Sequence, residues 1–289
     1  MTFEPQIPFV QPPDLTLLSR DAIGHGFPPV DLSIKPFGTL VATGVALGTY
    51  LAVRQARKLG FGERAFMSFS FWVLGIGFFG GHFFDTLFYY PERVAENPLQ
   101  LFAVWNGLSS FGGFMGAVIG AFAWQWRYKV PMLPYGDIVC SSFPIGWMFG
   151  RMGCTVAHDH PGLLSNAWYA VQYPGGGRLD LGLIEMLLTI PLAAVFLYWR
   201  RKPHPWGFYL SRFALLYAPV RFGLDFVRAR DLVISDNRYA GLTPAQWLAM
   251  VLFGAGLWVA LKFRGREPQE PPKPPRELRN LPAKRRASA

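Results

Sequence analysis

The run Gly150-Arg151-Met152-Gly153-Cys154-Thr155-Val156-Ala157-His158-Asp159-His160 gathers several reactive residue types into a short stretch. An apolar segment from Ile138 to Phe149 ends on Arg151, and the run closes on two histidines flanking an aspartate. A guanidinium at the edge of an apolar segment is costly to bury and is usually kept for a function. Its forked donors match a phosphate or a carboxylate. Cys154 has two readings. It is a nucleophile whose thiolate Arg151 favours, or a small packing residue, which is the commoner role of a lone cysteine. His158, Asp159 and His160 have the ligand types of a transition-metal site. Alternating residues in a loop are more often solvated, however, and no second histidine motif accompanies them. No metal and no cofactor is expected.

Other polar residues interrupt apolar runs. His82 and Asp85 are three apart, and Arg221 and Asp225 four apart, so each pair shares a helix face. Singly, each reads as an ion pair that neutralises a buried charge. Together with Glu185 and Arg228 they leave a cationic cluster of Arg151, Arg221 and Arg228, suited to the phosphate of a phospholipid. The glycine-rich run 107–113 allows close helix packing or a break in a helix that lines a polar cavity. Its Ser109, Ser110, Gly112 and Gly113 favour the break.

The elements that must position these residues follow from composition. The chain is 51% hydrophobic and 16% charged, against about 25% charged in soluble domains, so a water-soluble single core is excluded. Seven apolar segments approach the ~20 residues of a membrane span: 37–53, 65–90, 101–126, 137–153, 181–198, 206–226 and 244–263. The predicted fold is an all-α polytopic membrane protein with about seven transmembrane helices. Residues 1–36 lack the pattern of a signal peptide and read as an interfacial arm, with Leu32 and Ile34 along the membrane surface. Residues 154–181 form the longest internal loop. Residues 264–289 are a basic, Pro-rich tail expected to be disordered. There is no internal repeat, and Cys140 and Cys154 are too few for a disulfide framework.

Net charge is +10, yet no nucleic-acid-binding motif appears. The basic residues instead gather in alternate loops: Arg54, Arg57, Lys58 and Arg64; Arg127 and Lys129; Arg200, Arg201 and Lys202; and the tail. By the positive-inside rule the C-terminus is cytoplasmic and the N-terminus outside. The outer side then collects His82, Asp85, the 107–113 run, Arg151, Glu185, Arg221 and Asp225. His158, Asp159, His160, Arg178, Asp180 and Arg228 adjoin them in outer loops or span ends, and Arg212 is the main exception.

At these residues the chain resembles the bacterial prolipoprotein diacylglyceryl transferases, over about Leu32 to Lys262. The resemblance rests on an ordered set. Leu32-Ser33-Ile34-Lys35-Pro36, Gly80-Gly81, Leu87-Phe88-Tyr89, Pro98-Leu99 and Val104-Trp105-Asn106-Gly107 come first. Gly112-Gly113, Gly150-Arg151-Met152-Gly153, Glu185, Arg221, Asp225-Phe226, Arg228 and Gly241-Leu242-Thr243 through Gln246 follow. It implies a transferase of the bacterial inner membrane, working toward the outer leaflet. Such enzymes move diacylglyceryl from phosphatidylglycerol to the lipobox cysteine thiol of a prolipoprotein, forming a thioether and releasing glycerol phosphate. The resemblance makes Arg151 and Arg221 headgroup-binding residues and Glu185 and Asp225 residues that orient them. Gly112, Gly113, Gly150, Gly153, Cys154, Asp159 and Arg228 fall among the substrate-binding positions.

The departures fall where the chemistry should be. The usual His-Gly-Gly is Phe111-Gly112-Gly113, so the histidine commonly assigned as base is absent. The asparagine after Gly-Arg-x-Gly is Cys154, the closing glutamate aligns near Asp159, and Gly-Gly-Arg in the second span is Gly80-Gly81-His82. His82, His158 and His160 are the replacement bases to consider, since imidazole titrates near pH ~6.5. A histidine-dependent or metal-assisted phospholipid hydrolase, and a non-catalytic lipid- or lipoprotein-binding membrane protein, are the alternative functions.

Overall fold

A computed structural model describes residue 4 and residues 7–18, 32–104, 107–232 and 236–279. Trp105 and Asn106 of the resemblance, and the tail beyond Arg279, lie outside the described residues. A strand β1 (Leu15–Leu18) pairs antiparallel with β2 (Leu32–Ile34). Helices α1 (Pro36–Lys58), α2 (Glu63–Tyr89) and the short α3 (Pro91–Glu96) follow. After a 3-10 turn at Pro98–Phe102 come α4 (Ser110–Tyr128) and α5 (Leu133–Ala157). Strands β3 (Pro161–Leu164), β4 (Val171–Tyr173) and β5 (Gly176–Asp180) then lead to α6 (Leu181–Trp199). Helix α7 (Phe208–Leu224), a 3-10 turn at Asp225–Val227, α8 (Pro244–Lys262) and a 3-10 turn at Arg276–Leu278 follow.

Among the described residues, seven helices of 17 to 27 residues overlap the seven apolar runs. Four of them (α1, α2, α6 and α8) are long and apolar enough to cross a membrane. Phe71, Trp126, Val251, Trp258 and Leu261 are exposed on helices, as side chains facing lipid would be.

Two expectations need correction. The fold is mostly helical rather than all-α, because β3, β4 and β5 form an antiparallel sheet in the order β3-β5-β4 where a loop was expected. The third apolar run is not one helix from 101. Its glycine-rich break precedes α4, with Gly107 at φ 121° and the Ser109 side chain accepting from Gly112 N–H as N-cap. Within the described part of the tail, Arg127 pairs with Glu277 at 3.2 Å, and Leu278 packs on the aromatic core.

The chain divides into two compact units. The first comprises Met1–Gly48, Ser142–Arg201 and Val220–Ser235. Here α1 and α5 meet at glycines, since a Cβ on Gly44 would lie 2.5 Å from the Gly146 carbonyl oxygen. The second unit comprises Thr49–Ser141, Lys202–Pro219 and Asp236–Ala289. Phe66, Phe69, Trp124 and Tyr135 form its core, and Trp124 Nε1 donates to Ser68 Oγ at 3.2 Å. The buried Asp137 carboxylate accepts from Leu210 N–H at the start of α7, where the exposed donors of a helix end favour an anion. Thr243 and Gln246 form a reciprocal capping box at the start of α8.

In that second unit α2 and α4 touch through backbone. A Cβ on Gly116 would lie 3.0 Å from the Cα atoms of both Gly77 and Gly80, whereas one on Gly75 would meet nothing within 4 Å. Gly116→Val is therefore expected to destabilise the protein by about 1–3 kcal/mol through overpacking, while Gly75→Ala leaves it unchanged or slightly more stable. Thermal unfolding of the detergent-solubilised variants checks both.

Candidate active site

The first unit holds Arg151, and burial dictates its partners. Its side chain, on the last turns of α5, is only 4% exposed, and Nε lies 3.0 Å from Oε1 of Glu185, which is 2% exposed. Trp147, one turn earlier on α5, donates Nε1–H to the same oxygen at 3.3 Å, and the Arg151 guanidinium stacks 4.4 Å from its ring centroid. A cation held by a carboxylate and an aromatic face offsets much of its desolvation.

Glu185 reaches Arg151 because α6 starts against the end of α5. A Cβ on Gly182 would lie 2.9 Å from the Cys154 carbonyl carbon and 3.0 Å from Thr155 N, so only glycine permits this approach. Asp180 supplies the N-cap, accepting from Leu183 N–H at 2.9 Å. The same carboxylate accepts from the Tyr173 hydroxyl at 3.0 Å and faces His158 Nδ1 at 2.6 Å. His158 has φ 51°, stacks on Phe9 at 4.3 Å, and has Nε2 3.3 Å from the Val10 carbonyl oxygen. Its ring thus ties the end of α5 to the cap of α6 and to the N-terminal arm.

A second buried pair sits in the same unit. Arg221 donates from a terminal nitrogen to Asp225 Oδ1 at 2.5 Å, both side chains being buried. The chain beyond Asp225 joins the sheet: Ala229 N–H donates to the Pro161 carbonyl, and Arg228 bridges Gly162 antiparallel. Arg178 on β5 locks this edge by donating to the Gly162 carbonyl and, through both terminal nitrogens, to Asp231. That pairing holds the Asp231 carboxyl below its usual range.

The sheet also delivers His160, whose carbonyl accepts from Leu181 N–H. Its Nδ1 contacts Asp159 Oδ1, and these two residues lie beside Cys154, with one ligand-type atom from each within 4.8 Å of the others. Cys154 Sγ accepts from an Arg151 terminal nitrogen at 3.7 Å. Burial pushes the Asp159 carboxyl up, but the hydrogen bond from His160 and the charge of Arg151 more than reverse this, leaving it lowered. Burial lowers the His160 pKa, and the charges of Arg151 and Arg228 add to the effect against the raising influence of Asp159.

Comparisons with known proteins show the family of the chain. The family model described as prolipoprotein diacylglyceryl transferase matches residues 27–262. The chain belongs to the prolipoprotein diacylglyceryl transferase family. It is 32% identical over 240 residues to a phosphatidylglycerol–prolipoprotein diacylglyceryl transferase of Chromohalobacter salexigens, covering 79% of this chain and 90% of that one. A relative of the same name from Nitratidesulfovibrio vulgaris is 31% identical over 250 residues, covering 82% and 94%. One from Agrobacterium fabrum is 30% identical over 258 residues, covering 82% and 92%.

Of the remaining sequence candidates of this prolipoprotein diacylglyceryl transferase family member, His82, Gly112 and Gly113 belong to the second unit. His82 is buried, with Nδ1 3.0 Å from the Gly107 carbonyl oxygen and Nε2 2.8 Å from that of Gln100. It pins the loop before α4. Phe111 is buried edge-on against Phe88, and Gly112 lies where α4 crosses the backbone of Gly80 and Gly81. In the first unit, Gly153 faces Phe37 of α1, while a Cβ on Gly150 would meet nothing within 4 Å. Sequence reasoning missed Trp147 and Gly182. An aromatic one turn before Arg151, and a glycine three residues before Glu185, were the available signals.

Glu185→Ala would remove a carboxylate from a guanidinium that is almost wholly buried. A loss of about 3–5 kcal/mol in stability is expected, with most of it recovered in the Arg151→Met, Glu185→Leu double variant. Denaturant titration of the purified variants reads both.

Proposed function

We propose that this protein transfers diacylglyceryl from phosphatidylglycerol to the cysteine thiol of a prolipoprotein lipobox, forming a thioether and releasing glycerol phosphate. The observation that carries the reading is the Arg151–Glu185 pair, a buried guanidinium fixed by a carboxylate and by Trp147, in a chain whose relatives bear that activity in their names.

In this reading Arg151 and Arg221 bind the headgroup phosphate, with Arg228 assisting and Glu185 and Asp225 holding the guanidinium groups in place. Charge grows on the phosphate as the glyceryl C–O bond breaks, and pre-oriented donors stabilise it where it develops. Gly150, where a Cβ would meet nothing within 4 Å, leaves room for the glycerolipid beside Arg151. The thiol has an ordinary pKa of about 8.5 and must lose its proton before attack. His82 and His158 each have both ring nitrogens close to protein oxygens, which favours structural roles for them. Thiol activation therefore falls to the edge formed by Cys154, Asp159 and His160.

The seven long helices are seven spans of the bacterial inner membrane, with the N-terminus periplasmic, the C-terminus cytoplasmic and the site toward the outer leaflet. Basic residues in alternate loops support this orientation. Residues 1–36 form a periplasmic arm, 37–263 the transferase-like domain and 264–289 a cytoplasmic tail.

Purified protein given phosphatidylglycerol labelled in its diacylglyceryl part and a lipobox peptide is expected to yield labelled peptide. Arg151→Ala and Arg221→Ala should each lower the rate by roughly 10²–10³-fold. Release of glycerol phosphate without labelled peptide would point to a hydrolase, and lipid binding without either product to a binding protein; both overturn the reading.

A further inference from the structure

Cys154, Asp159 and His160 are brought together by three separate local causes. Cys154 lies on the last turn of α5, on the face that carries Arg151 three residues earlier. His158, in the left-handed conformation, turns the chain out of the helix. His160 is then fixed at the foot of the sheet by its carbonyl bond to Leu181 N–H. As a result His158 goes to Asp180, while His160 and Asp159 return to the cysteine. Among the described residues, this is the group of cysteine, histidine and carboxylate side chains whose ligand atoms cluster this closely.

The donor set is selective. One sulfur, one imidazole nitrogen and one carboxylate oxygen suit a borderline-soft divalent ion, whereas magnesium and calcium prefer all-oxygen sites. The widest allowed separation, 4.8 Å, must close toward the ~3.5 Å between two ligands on one tetrahedral ion. That movement is within the freedom of exposed Asp159 and half-buried His160, whose mutual hydrogen bond would be exchanged for bonds to the cation. Charge also favours it. A Cys154 thiolate with the Asp159 and Glu185 carboxylates would balance Arg151 and a divalent ion, and Arg151 already donates toward Sγ. Cys154 is buried while Asp159 is 40% exposed, so the site is closed on the sulfur side and open on the other.

We propose that Cys154, Asp159 and His160 hold a thiophilic divalent cation, zinc or an ion like it, whose fourth position receives the substrate's cysteine thiol. Three protein ligands and one open position are the pattern of catalytic rather than structural zinc, and a thiol bound to such an ion is deprotonated outright. The inference rests on the transferase reading and supplies its thiol activation. On coordination the substrate S–H proton leaves to solvent. The thiolate electron pair then forms the C–S bond at the glyceryl carbon, and the C–O bond breaks with its electrons passing to the departing glycerol phosphate beside Arg151. No oxidant or reductant is needed.

The test uses the full-length protein in detergent micelles, washed with chelator and reloaded with zinc or cobalt(II). Wild type and Cys140→Ser should keep about one equivalent after exhaustive dialysis, and Cys154→Ser and His160→Asn should bind at least about tenfold more weakly. Cobalt-loaded wild type should show a thiolate-to-metal charge-transfer band that grows when a lipobox peptide thiol is added and not when its serine analogue is. This reading needs no variant to fold. Full transferase activity in chelator-washed protein that retains no metal would overturn the cation while leaving the transferase intact. A bound cation whose band ignores the peptide thiol would overturn the fourth-position assignment. Bound cation, a band responding to thiol and no transfer of label would sustain the site and count against the transferase reading instead.

Discussion

A guanidinium buried at the end of an apolar helix is the constraint on which the rest of the first unit depends. Arg151 cannot shed its charge, so the fold must supply an anion within contact distance and keep it there. Glu185 does so at 3.0 Å, on the neighbouring helix rather than its own. That choice propagates outward. Helix α6 must begin against the last turn of α5, which requires glycine at 182. Its first turn must be capped, which Asp180 does, and Asp180 is in turn held by His158 and Tyr173. The small sheet between the two helices therefore acts as a spacer that sets their relative register.

The same sheet brings the other cationic residues into order. Its β3 edge is extended by backbone bonds to residues 228 and 229, so the chain leaving the Arg221–Asp225 pair is fastened beside His160. The bidentate Arg178–Asp231 bond closes that edge from the far side. The residues proposed for phosphate recognition and for thiol activation consequently share one small piece of antiparallel structure. Neither half of the site is carried by a helix alone.

How much of this was legible in the sequence varies with its physical origin. The helices were visible because long apolar runs have few other uses, and the Arg221–Asp225 pair because residues four apart on a helix must meet. The sheet was hidden: its strands are three to five residues long, and one contains two glycines. Nothing in the His158-Asp159-His160 spacing showed that the two histidines part company; a positive φ at His158 decides that, and it is set by Asp180 and Phe9 far away in the chain. The glycine-rich run before α4 was misread as a break within a span because Ser109 as an N-cap and Ser109 within a polar cavity have the same sequence signature. His82, a candidate base by type, proves to be engaged with two backbone carbonyls.

The central claim is that the fixed guanidinium groups of the first unit are the seat of the lipid phosphate. The most direct measurement is an experimental structure with phosphatidylglycerol bound, read for the position of its phosphorus. The account predicts a phosphate within hydrogen-bond distance of both Arg151 and Arg221, with the Arg151–Glu185 contact retained. A phosphate seated away from both arginines, or an Arg151 that remains satisfied by protein groups while lipid occupies another cleft, would contradict it.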